Sequence, residues 1–240
     1  MNYIVFVFII LLAIVLHEFG HFIAAKLFKV EVDSFNIGMG KKIFGFKKHN
    51  TEWNLRLLPI GGSCAINDEA FEKISAWKQI IIFAAGPLVN LVLMIVSVGI
   101  VLFIGGNFDI MNILSTVWNG IVAVLTSLTS IFDVVFDFSQ STLQENFLVA
   151  DQVLGAAENG IEYVYQFCML NFALNTALFV FNILPIPALD GGQIFINIPA
   201  AIGKPINKNL VQKINVGFYC FLMGLTAFVL VKDIVVGLII

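Results

Sequence analysis

His17-Glu18-Phe19-Gly20-His21 lies inside an apolar run that starts at Tyr3 and continues through Phe22, Ile23, Ala24 and Ala25. Positions four apart share a helix face, so His17 and His21 can offer two imidazole nitrogens to one metal, with Glu18 beside it as a base for water. That is half of a zinc-hydrolase site. Two histidines and a carboxylate are costly in a membrane-length apolar segment, and the default reading of such residues is an intramembrane function.

The rest of the chain supports a membrane setting. Of 240 residues, 59% are hydrophobic and 12% charged, and the mean hydropathy is +0.95. Soluble domains are about half apolar. A net charge of −3 with no basic stripe excludes a nucleic-acid partner. Cys64, Cys168 and Cys220 form no C-x-x-C pair and are odd in number, so they read as free thiols rather than a disulfide framework. The N-terminus lacks a basic region and a small-residue cleavage site, so its apolar run reads as a retained span.

The expected fold is a single all-α integral membrane domain over residues 1–240 with about four transmembrane helices, at 3–26, 77–104, 165–189 and 211–239. A membrane-associated β-hairpin region, 30–66, separates the first two. An outer loop with an amphipathic helix fills 105–164, and a loop fills 190–210. Residues 111–138 are apolar but interrupted by Asn112, Asn119, Thr126, Ser127, Thr129, Asp133 and Asp137. That mixture suits an interfacial helix better than a fifth span.

Lys26, Lys29, Lys41, Lys42, Lys47, Lys48, Arg56, Lys73 and Lys78 gather between the first two spans or at their ends, and Lys204, Lys208 and Lys213 between the last two. Residues 105–165 contain no Lys or Arg. The positive-inside rule then puts the basic loops in the cytoplasm and both termini outside, in a multi-pass cell-membrane protein. From Lys26, the histidines sit about 7 to 14 Å inside the cytoplasmic boundary, at 1.5 Å per residue. The site therefore faces the cytoplasmic side.

In the hairpin region, Trp53, Leu55 and Leu57 alternate with Asn54 and Arg56. If this edge lies near the metal, an unwound substrate could add to residues 53–57 as a strand. In the second span, Gly86 and Asn90 share a face that allows close helix packing and one interhelical hydrogen bond.

Catalytic zinc takes three protein ligands and keeps one position open. His49 sits in a lysine-rich turn, Glu31 and Asp33 in a solvated position, and most other aspartates toward the outer side. Asp190 ends Asn182-Ile183-Leu184-Pro185-Ile186-Pro187-Ala188-Leu189-Asp190, where two prolines break the third span at the level of the motif. It reads either as a ligand or as part of the Asp-Gly-Gly turn that leaves the membrane.

H-E-x-x-H in the first span with N-x-x-P-x-P-x-x-D-G late in the chain resembles the site-2 protease family of intramembrane zinc metalloproteases. The likeness takes in residues 35–38, 59–62, 85–87 and 182–192, nearly everything outside 105–165. It implies a Zn2+ cofactor held by His17, His21 and Asp190, Glu18 as the catalytic carboxylate, and Asn182 as a substrate-binding or oxyanion residue. It also implies a single-span membrane-protein substrate met within membrane lipid: an anti-sigma factor, a tethered regulator or a signal-peptide remnant. Bacterial members commonly carry PDZ domains in the outer connection, where about 60 residues here leave no room for one. A metal transporter or a zinc-binding scaffold is the competing class. No internal repeat supports a transporter, and a scaffold would have no need of Glu18.

Overall fold

The computed structural model describes residues 2–130 and 159–239, with 152, 155 and 157 between them. Helix α1 (Asn2–Leu27) carries the H-E-x-x-H motif in its second half. It closes in a left-handed turn: Lys29 has φ 60°, and the Val30 N–H donates to the Ala25 carbonyl at 2.9 Å. The chain thereby reverses into β1 (Val32–Lys48) and β2 (Thr51–Ile66), joined across His49 and Asn50. Both joining residues have positive φ, 49° and 61°, as a tight two-residue hairpin turn requires.

The expected hairpin is a more folded object than simple alternation suggests. Residues 34–37 pair with 62–65 on one side, running antiparallel, and with 52–55 on the other, running in the same direction. Residues 44–48 pair with the far side of 51–55. Gly38, at φ 84°, helps β1 bend here, and a Cβ on it would strike the Leu58 carbonyl. Residues 52–55 are thus bonded on both sides, which leaves them no free edge for an added strand. The expectation that Trp53, Asn54 and Leu55 receive substrate is corrected accordingly, and Arg56 and Leu57 continue the same segment.

Asn36 ties this sheet together. Its Oδ1 accepts from Asn54 Nδ2 at 3.1 Å and from Arg56 Nε and Nη2 at 3.1 and 3.0 Å, while its own amide donates to Ser34 and Ser63. Phe35 and Trp53, ring centroids 5.1 Å apart, pack on Phe22 of α1, and Phe19 joins through Phe22 and Phe35. The sheet is therefore fixed to the turn of α1 that holds the motif. Each such aromatic pair contributes about 0.5–1.5 kcal/mol beyond area burial.

A short helix α2 (Asp68–Glu72), capped by Asn67, leads into α3 (Ala76–Ile104), which packs against α1 and against the later helices. Next come α4 (Ile110–Ser127) and a 3-10 turn (Leu128–Ser130), then α5 (Gly160–Ile183), α6 (Asp190–Ala201) and α7 (Lys208–Ile239). Among the described residues five helices, where four were expected, are long and apolar enough to cross a membrane: Ile4–Leu27, Ala76–Ile104, Ile110–Ser127, Gly160–Ile183 and Lys208–Val236. The addition is α4. Its Ile113 and Val117 are buried against Met94 and Val98 of α3, and its hydroxyls at Thr116 and Thr126 bond carbonyls of their own helix. Those internal bonds give the two hydroxyl donors partners within the helix itself. The part of the expected outer helix beyond Ser130 lies outside the continuously described residues.

The third expected span ends at Ile183 rather than 189, because Pro185 cannot continue a helix and disfavours helical backbone at Leu184, whose ψ is 144°. The region 190–210 contains α6 rather than loop alone. Within the apolar bundle, Asn171 donates to Ser97 Oγ at 2.7 Å and so links α5 to α3.

Candidate metal centre

Three side chains from two helices converge on one point. His17 and His21 project one turn apart from α1, and Asp190 enters at the first residue of α6, after the break that follows α5. His17 Nε2 lies 3.2 Å from His21 Nε2. Asp190 Oδ2 lies 3.1 Å from the first nitrogen and 3.4 Å from the second. Both histidines are buried, 7% and 8% exposed.

The donor set fits one small cation. His21 Nδ1–H donates to the Ile82 carbonyl at 2.8 Å, which leaves Nε2 of the neutral ring as a lone pair. That lone pair faces another imidazole nitrogen and a buried carboxylate oxygen that has no hydrogen-bond donor. The His21 lone pair and the Asp190 oxygen, two acceptors 3.4 Å apart, repel each other until a positive charge sits between them. Zinc bonds of about 2.0–2.1 Å place tetrahedral ligand atoms roughly 3.3–3.4 Å apart, close to the spacing here. Among the described residues this is the one group of three His, Cys, Asp or Glu side chains able to hold a metal.

Helix α3 supplies the wall behind the ligands. Ile82, Gly86 and Asn90 fall four apart on one face, and all three are buried. Ile82 offers its carbonyl to His21, and the Asn90 amide lies 3.1 Å from His17 Nδ1. Gly86 stands between them: a Cβ there would collide with His21 Nε2 and come within 2.7 Å of His17 Nε2. Gly20 similarly lets α1 approach the Ala85 carbonyl.

Glu18 points to the sheet. Its Oε2 accepts the Cys64 backbone N–H at 2.9 Å, and Gly62 lies beside its Cγ. Among the described residues, 62–65 are paired on one side only, with 34–37. Asn182 sits half-buried in the last turn of α5, before the chain breaks toward Asp190. Trp53, Asn54, Leu55, Arg56 and Leu57 lie deeper in the sheet, away from this edge.

The model of peptidase family M50 matches residues 5–225, which include both histidines, Glu18, Asn182 and Asp190. The chain belongs to peptidase family M50, the site-2 protease family. As a member of that family it is a membrane zinc metallopeptidase. It is 26% identical over 333 aligned positions to a Clostridium perfringens protein named "Putative zinc metalloprotease CPE1693", covering 97% of this chain and 98% of that one. That alignment is longer than this chain's 240 residues, so the relative carries segments absent here. Relatives of the same designation from Neisseria meningitidis and Clostridium acetobutylicum match at 41% and 42% identity over 40% and 33% of this chain. Those stretches span only 24% and 26% of their lengths.

Sequence reasoning gave Asn90 a packing role and did not single out the Ile82 carbonyl or the Cys64 N–H. The 82, 86, 90 spacing repeats the helical period of His17 and His21, and that signal could have paired the two faces.

Proposed function

We propose that this M50 peptidase is an intramembrane endopeptidase that hydrolyses a bond in or near the transmembrane segment of a single-span membrane protein. The observation that carries the reading is the meeting of His17, His21 and Asp190 within 3.4 Å, beside a glutamate that faces a one-sided sheet edge. A zinc ion held by those three side chains would supply Lewis acidity, lowering the pKa of water and polarising a carbonyl.

Glu18 takes the proton of the attacking water and returns it to the departing amine. One of its carboxylate oxygens is anchored by Cys64 N–H, which fixes the side chain's direction and leaves the other oxygen for proton transfer. Asn182, on the last turn of a helix that ends at the site, is the donor suited to the developing oxyanion or the substrate backbone.

A peptide bond inside a helix is shielded, so the substrate must unwind, and its freed backbone groups need partners in lipid. Residues 62–66 are the edge that serves this purpose. They neighbour Glu18, and strand addition there presents the chain to the site. The basic residues around the sheet support a cytoplasmic setting, with the new terminus released on that side. Regulated proteolysis of an anti-sigma factor or tethered regulator, and clearance of signal-peptide remnants, both fit this chemistry.

The test compares membrane peptides in cells carrying the native chain with those carrying Glu18→Gln. A transmembrane stub that accumulates only in the mutant identifies the substrate. Identical peptide populations would count against proteolysis and favour a metal-binding scaffold or transporter.

A further inference from the structure

The Asn90 side chain is 0% exposed and lies 3.1 Å from His17 Nδ1 through its amide nitrogen. In that orientation the imidazole must accept at Nδ1, so the ring proton sits on Nε2 and points at the other two ligand atoms. The same orientation strands Asn90 Oδ1, a buried acceptor without a donor. An unpaired buried polar atom costs about 1–3 kcal/mol. Amide oxygen and nitrogen are nearly alike in shape, and a half-turn about the terminal bond exchanges them without moving any neighbour.

We propose that Asn90 presents its amide oxygen, not its nitrogen, to Nδ1–H of His17, and is the positioning residue that fixes this histidine as a metal ligand. The inference rests on the reading that the three converging side chains hold zinc. Turned this way, Oδ1 gains a donor, and the Nε2 lone pair of His17 faces the metal position. His17 then matches its partner: His21 already donates Nδ1–H to the Ile82 carbonyl at 2.8 Å. One carbonyl oxygen from the backbone and one from a side chain, eight residues apart on α3, hold the two rings in the same tautomer. Gly86 midway between them keeps the ligand nitrogens clear.

The freed amide N–H groups have a precedent in this fold. Asn175 and Asn197 each donate to the carbonyl four residues back on their own helices, both at 2.8 Å.

The test measures zinc affinity of the purified full-length protein by chelator competition, and the ligand-field spectrum of the cobalt-loaded form. Asn90→Leu, which keeps the branching and the number of heavy atoms but has no acceptor, should weaken zinc binding about 10- to 100-fold and alter the cobalt spectrum. Asn90→Asp, which can only accept from Nδ1–H, should bind within a few-fold of native and restore the spectrum. Native affinity in Asn90→Leu, or loss in Asn90→Asp equal to that in Asn90→Leu, would overturn the proposal. Should Asn90→Leu fail to fold, the Asn90→Asp result decides alone. A native protein that takes up no zinc would overturn the metal reading itself, a different failure from native binding that ignores residue 90.

Discussion

Glu18 and Cys64, 46 positions apart, are joined by a 2.9 Å bond from the Cys64 backbone N–H to the Glu18 carboxylate. It ties Glu18 on α1 to residues 62–65, which among the described residues pair on one side only, and so couples the proposed base to the proposed substrate edge.

Glu18→Gln keeps an oxygen for the Cys64 N–H but cannot take a proton. The variant should retain the metal content of the native protein and lose cleavage by about 10²- to 10⁴-fold. Metal analysis beside a cleavage assay on a fluorescently tagged single-span substrate checks both halves. Full activity in this variant would remove Glu18 from the chemistry.

Gly86→Ala should empty the centre without unfolding the chain, because the new methyl group occupies the space of the two ligand nitrogens. Gly217→Ala on α7 meets nothing within 4 Å and serves as the control. The expectation is at least a tenfold loss of zinc affinity for the first and none for the second, read by chelator competition.

The sheet should depend more on Asn36 than on its surface charges. Asn36→Leu leaves Asn54 and Arg56 donors without their common acceptor and should cost about 2–4 kcal/mol of stability. Glu52→Ala breaks only an exposed contact to Lys42 at 3.7 Å and should change stability by about 0.5 kcal/mol or less. Thermal unfolding in detergent distinguishes the two.

The Cys64 thiol is pushed up to about 12 by burial first and by the Glu18 carboxylate second, with Lys26 opposing. The fold therefore holds the thiol protonated where an unfolded chain, with a pKa of about 8.5, has begun to ionise. Its contribution to stability is full below that range and is lost as pH rises toward 12. In a Cys168→Ser, Cys220→Ser background, alkylation of Cys64 should stay slow and keep rising through pH 10. An inflection near pH 8 to 9 would contradict the burial seen here.

The convergence of His17, His21 and Asp190 was legible because the chemistry of a metal site is written in residue type and helical spacing: H-E-x-x-H fixes a face of α1, and paired prolines mark where backbone must break before Asp190. The sheet was legible only as a hairpin. Alternation at 53–57 reports which residues face the aromatic cluster, not which edge is free, and the double pairing of 52–55 arises from contacts with 34–37 that no local pattern encodes. The fifth apolar helix was read as interfacial because the hydroxyls and amides of α4 look exposed when their hydrogen bonds are unseen. The interhelical hydrogen bond expected of Asn90 is present, but its partner was not legible, because His17 lies 73 positions away.

The proposed chemistry requires one ion held between α1 and α6 by His17, His21 and Asp190. Metal analysis of the protein purified in detergent without chelators tests it most directly, with Asp190→Ala alongside. One zinc per native chain and a large loss in the variant are expected. A native protein free of metal, or an Asp190→Ala protein that holds zinc as tightly as native, would contradict it.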